Sequence, residues 1–153
     1  PAARLLAAAT VLGGLLAGGC GGVLVGAASP AADLRVEGPV TVRRQASGAQ
    51  TLVGTVVNLG PRRADAVEVT LTLFVQDPSG RPVPWVTIAD RPVVSRADGT
   101  QTLFPGSRGD FVVVVEGVPP VVDLDVEIAA RLPPDGTLVV FFVTPGLFVI
   151  IVG

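Results

Sequence analysis

From residue 33 onward apolar residues recur at every second position, and that period decides what this chain can build. Val67, Val69, Leu71, Leu73 and Val75 alternate with Glu68, Thr70, Thr72 and Phe74. Successive side chains of a β-strand point to opposite faces, so this run predicts a strand with one face on a core. Leu124, Val126 and Ile128 alternate in the same way with Asp123, Asp125 and Glu127. Val40–Arg44, Thr51–Val57, Val83–Ile88, Gln101–Phe104 and Asp110–Val115 are further strand candidates. Between them lie Asn58-Leu59-Gly60-Pro61, Asp77-Pro78-Ser79-Gly80, Asp98-Gly99, Pro105-Gly106 and Pro133-Pro134-Asp135-Gly136. Each supplies a fixed proline φ, a glycine tolerant of positive φ, or an Asx side chain that bonds its own backbone. Short strands at regular spacing, without a helical stretch, predict an all-β antiparallel sandwich.

The side-chain inventory narrows the chemistry. The chain has no His and one Cys among its 153 residues. A Ser-His-Asp triad, a Cys/His zinc site and a His-Cys copper site are therefore excluded, as is an internal disulfide. An enzyme would have to work with carboxylates and Ser/Thr hydroxyls alone, so catalysis is not expected, nor is a cofactor. Eleven Lys+Arg against 13 Asp+Glu give a net charge of −2. That balance does not recommend nucleic acid as a partner.

The first 22 residues have a different character. Arg4 precedes a run of small and apolar residues that ends at Cys20. A cation, a short apolar core and small residues before a break form the layout of an export signal. Leu16-Ala17-Gly18-Gly19-Cys20 resembles a bacterial lipobox, in which the signal is cut before the cysteine and the thiol receives lipid. The resemblance implies a signal over 1–19 and a Gly/Ala-rich flexible tether over 20–32. It implies an extracytoplasmic protein held to the cell envelope by membrane lipid through Cys20, for which two acyl chains suffice. A plain cleaved signal is one alternative. Another is a single apolar helix from Leu5 to Ala28, since about 20 residues span a bilayer. Gly18, Gly19, Gly21 and Gly22 oppose a stable helix there.

The body, residues 33–135, carries Leu52-Val53-Gly54-Thr55-Val56-Val57-Asn58, the strand Val67–Val75 followed by Asp77 and Gly80, then Phe104-Pro105-Gly106 and Phe111. Over Thr51 to Leu132 this run resembles the FxLYD domain family. The naming motif departs from the family, because Val75-Gln76 separates Leu71-Thr72-Leu73-Phe74 from Asp77. The family implies an immunoglobulin-like sandwich, common in bacterial lipoproteins, that serves as an accessory or interaction module.

Residues 136–153 carry no charge and are rich in Val, Ile and Phe, which favours strand. Thr144-Pro145-Gly146 divides them into Leu138–Val143 and Leu147–Val152. A sandwich strand or a hairpin that finishes the sandwich is the favoured reading, the hairpin ahead, with membrane contact and a truncated end as the rivals. An exposed apolar edge at Leu147, Phe148, Val149 and Ile150 would suit another envelope protein or an oligomer.

Four smaller features are candidates for contact or chemistry. Trp85, the lone tryptophan, is either a core plug or a platform for a sugar or peptide, with the plug favoured. Arg108-Gly109-Asp110 spells an adhesion tripeptide, for which a solvated turn entering the Phe111 strand is the simpler account. Asp123, Asp125 and Glu127 share a strand face but lie ~7 Å apart in succession, which favours a charged solvent face over a calcium site. Asn58 is placed to close the turn at Gly60-Pro61, and Gly54 to allow a close approach within its strand. The expected function is binding or scaffolding by a lipid-anchored sandwich. The alternatives are a subunit of a surface assembly packed through its apolar ends, and a membrane protein anchored at one or both termini.

Overall fold

A computed structural model describes residues 32–134, 137–143 and 148–152. Its ten strands are β1 (Leu34–Val36), β2 (Val40–Arg44), β3 (Gln50–Asn58), β4 (Asp65–Gln76), β5 (Pro82–Pro92), β6 (Val94–Ser95), β7 (Arg108–Val115), β8 (Val121–Leu132), β9 (Thr137–Val143) and β10 (Phe148–Val152). No helix occurs among the described residues. The site residues Leu16, Ala17, Gly18, Gly19, Cys20 and Leu147 lie outside them.

The strands form two sheets, ordered β10-β2-β3-β7-β6 and β5-β4-β8-β9, with β1 also on β3. Set aside β10, and this is the strand order of an immunoglobulin-like sandwich, with β5 as the added edge strand beside β4. β1 and β2 pair with successive stretches of β3 and are two halves of one strand, broken at Glu37-Gly38-Pro39. Alternation drives the layering. Val42, Leu52, Val56, Phe111 and Val113 of one sheet meet Val67, Val69, Leu71, Leu73, Leu124, Val126 and Ile128 of the other in a single buried core. Bringing those faces out of water is the main favourable term, at about 25 cal/mol per Å² of apolar surface.

The tail departs from the expected hairpin. β9 pairs antiparallel with β8, whereas β10 pairs parallel with β2 in the opposite sheet. The two tail strands therefore never pair with each other, and β10 is the parallel exception in a sandwich whose other pairings are antiparallel. The reason is an available edge on each sheet: β8 accepts the first strand and β2 the second. Leu138 and Val140 remain exposed on β9.

A second departure is Gln101–Phe104, which forms one bridge and not a strand. Leu103 exchanges both backbone hydrogen bonds with Ala64, at 2.8 and 3.0 Å, and its side chain is buried. The turns on either side, at Gly99 and Gly106, both take positive φ and curl the chain away before the ladder can extend.

Buried polar groups hold the ends of the sandwich together. Asn58 is fully buried and uses its whole amide: Oδ1 accepts from the Gly60 N–H at 3.0 Å, and Nδ2 donates to the carbonyls of Arg62 at 2.7 Å and Leu103 at 2.9 Å. At the other end of β3, Gln50 Nε2 donates to the carbonyls of Val118 and Pro119, both at 2.9 Å, and Oε1 accepts from Val121 N–H. Gly54 lies buried opposite Phe111 in the β3–β7 pair. A Cβ there would come within 2.6 Å of the Phe111 ring at Cε1, so the glycine is the seat of that aromatic.

Candidate functional site

A groove of about 550 Å³ opens at one end of the sandwich. Its walls are Ser47, Gly48 and Ala49 from the β2–β3 turn, Trp85 from β5, and Glu116–Pro119 from the β7–β8 loop. The β2–β3 turn is closed by Gly48 N–H on Gln45 and Gln45 N–H on Ala49, both local contacts. Gln50 fixes the opposite wall through its bonds to Val118 and Pro119. Sequence reasoning misses that glutamine; its signal is a polar residue in phase with the inward-facing Leu52 and Val56 of β3.

Trp85 is not the core plug the sequence favoured. It is 56% exposed. Leu73 pairs with Val86 and Phe74 with Pro84, so Trp85 is the extra residue of a β-bulge. A bulge leaves its extra residue unpaired and re-aims its side chain, here onto the lip of the groove. Pro82, Pro84 and Pro92 on the same strand lack N–H donors and blunt this outer edge of its sheet.

The groove lies at the far end of the molecule from the first described residue. Leu34 pairs with Asn58 at the end of β3, whereas the groove flanks Gln50 at its start. Nine residues of strand separate these ends, or roughly 30 Å.

Arg108, Gly109 and Asp110 are the first residues of β7 and not a solvated turn before it. Gly109 is buried, and a Cβ on it would lie 2.8 Å from Val93 Cγ1 and 2.9 Å from the Val94 carbonyl oxygen. Close passage of the chain before β6 therefore requires glycine at this point. Both charges are engaged in pairs. Arg108 grips Glu37 through Nε at 2.6 Å and Nη2 at 2.8 Å. Arg96 grips Asp110 through Nε and Nη2, each at 2.7 Å, while the Thr55 hydroxyl donates to Asp110 Oδ1 at 2.7 Å. An adhesion motif needs a protruding loop with free charges; this one is a paired strand.

Asp123, Asp125 and Glu127 stand along β8 opposite Phe74, Thr72 and Thr70 of β4. No group of three metal-ligating side chains is gathered among the described residues. Elsewhere, Arg63 pairs with Asp65 at 3.2 Å, Arg62 donates to the Pro133 carbonyl, and Arg44 donates to the Val121 carbonyl at 2.9 Å.

Ion pairs and turn hydrogen bonds hold four carboxylates below their ordinary range. Hydrogen bonds from Arg108 hold Glu37 below the usual carboxylate range, and those from Arg96, with help from Thr55, do the same for Asp110. The Ser79 hydroxyl lowers Asp77, with the Arg81 N–H behind it; the Thr100 N–H lowers Asp98, with its hydroxyl behind. A carboxylate depressed on folding stabilises the native state above its unfolded value, near 4, and loses that contribution as pH falls through the folded value. Urea midpoints should thus be flat from about pH 7 to 5 and fall steadily below about 4. A midpoint unchanged down to pH 2 would show that these pairs contribute nothing.

No protein-family model matches this chain, and no curated protein does.

Proposed function

We propose that the chain is a lipid-anchored extracytoplasmic module that works by binding, not by catalysis. One observation carries the reading: the lone tryptophan stands exposed on the lip of a groove, at the end of the sandwich opposite Leu34. An indole there, beside a carboxylate and two glycines that leave backbone open, suits a ligand surface and has no role in the core. With a tether through Cys20 entering ahead of β1, the groove would face away from the membrane, where a partner can reach it. The FxLYD-like run supports the same class, since that resemblance implies an accessory interaction module of the cell envelope.

Intact mass of the native protein in detergent tests the anchor. The expected chain has lost residues 1–19 and carries a lipid adduct on Cys20. An unmodified chain that retains Leu16–Cys20 in full sinks the proposal.

A further inference from the structure

The outer side of β7 is open where it approaches the groove. β6 pairs with β7 only at Asp110 and Gly109, so none of the described residues pairs with Val112 or Val114 on that side. Their backbone direction follows from two hydrogen bonds. Arg96 N–H donates to the Arg108 carbonyl at 3.0 Å on the β6 side, and Asn58 N–H donates to the Ser107 carbonyl at 3.1 Å on the β3 side. In an antiparallel ladder alternate residues bond to opposite neighbours. Even-numbered residues of β7 therefore turn their N–H and C=O away from β3, and Val112 and Val114 present theirs to an edge that no described strand occupies. Their side chains, 61% and 58% exposed, stand on the outer face of the same sheet beside Val53.

Of the other edges, β5 carries three prolines and two bulges, and the free side of β2 is taken by β10. β9 and β10 are also outer strands, but neither lines the groove. The open stretch of β7 has no proline, no bulge and no charged side chain between Asp110 and Glu116. Natural edges left in that state invite strand addition.

Charge says what kind of strand fits. Asp110 is neutralised by Arg96, and Glu37 by Arg108. Glu116 joins no ion pair among the described residues and sits in the groove with Trp85, immediately beyond the open edge. A carboxylate beside an exposed indole face receives a cation, by ion pairing and by attraction to the ring quadrupole. We infer that β7 binds an extended peptide segment of a partner protein by strand addition at Val112 and Val114, with a Lys or Arg of that segment seated between Trp85 and Glu116. The inference rests on the reading of the chain as a binding module and names its ligand class.

The lone tryptophan makes the test direct, since the chain has one Trp and no Tyr. The full chain in mild detergent is titrated with capped Lys-Thr-Val-Thr-Val and Val-Thr-Val-Thr-Lys, and with their Glu-for-Lys counterparts, while Trp85 emission is followed. The expected result is a saturable change with a lysine peptide and roughly tenfold weaker binding of the glutamate peptides. Glu116→Gln should weaken binding by roughly three- to five-fold, as an exposed charge contributes modestly. Val112→Pro removes the outward N–H and should abolish binding. Peptides N-methylated at alternate residues test the same point without altering the fold: one methylation pattern should block binding and the other should not.

Loss of binding with neither methylation pattern overturns strand addition, and an equal response to lysine and glutamate peptides overturns the cationic pocket. Silence to every peptide, with a saturable response to cellotetraose or chitotetraose, overturns the peptide ligand and leaves a sugar-binding module. Silence to peptides and sugars, with emission that depends on protein concentration, overturns it in favour of a second copy of the chain.

Discussion

Gly54→Ala is expected to destabilise the fold by about 3 kcal/mol, near the upper end for overpacking a closed core. The added methyl would fall inside the contact radius of the Phe111 ring, 2.6 Å from Cε1. That ring is itself buried and cannot swing aside without displacing its neighbours. For a domain of this size such a loss lowers the melting temperature by roughly 10–20 °C. Thermal unfolding followed by far-UV circular dichroism measures it. The double variant Gly54→Ala with Phe111→Leu separates this cause from a general intolerance of β3. If the clash is the cause, the pair should lose clearly less than the sum of the two single changes, because residues in contact do not add. Simple additivity would show that glycine is needed there for another reason.

Asn58→Leu should cost as much or more, about 3–5 kcal/mol, through groups that remain behind. The Gly60 N–H and the Arg62 carbonyl would stay in place and lose their partner, and the Leu103 carbonyl would keep only its bond from the Ala64 N–H. Each unsatisfied buried group costs roughly 1–3 kcal/mol. Asn58→Asp gives a sharper result. The introduced carboxylate can still accept from Gly60, but while ionised it faces two carbonyl oxygens at hydrogen-bond distance. Burial and those dipoles raise its folded-state pKa above the unfolded value, so this variant should regain stability as the solution is acidified from pH 7 to about 5. The unaltered protein has no such gain. Urea midpoints of the two proteins across that range decide it, and parallel curves would refute the role given to the amide.

Much of the body was legible from spacing. The bounds of β2 follow from Val40–Arg44, and the inward face of β4 follows residue for residue from its alternation. Asn58 was legible as a turn closer because Asn two residues before glycine bonds its own backbone in any fold. Other features depend on partners that no local pattern encodes. Phe148–Val152 is as apolar as Leu138–Val143, and nothing in either run says which sheet edge will be vacant. Trp85 reads as one more alternating aromatic until a bulge displaces it by one position, and that bulge reflects the register of β5 on β4. Gln50 looks like a stray polar residue until the β7–β8 loop folds over it. The open side of β7 was invisible for the same reason, since it depends on β6 stopping after two residues.

The parallel seat of β10 has a bearing on how the polypeptide comes off the ribosome. Its docking strip, β2, is synthesised before β3 to β9, and the segment that covers it follows all of them. For that interval a nascent chain carries a bare template able to recruit neighbours, so slowing translation after β8 should favour clumping over productive maturation.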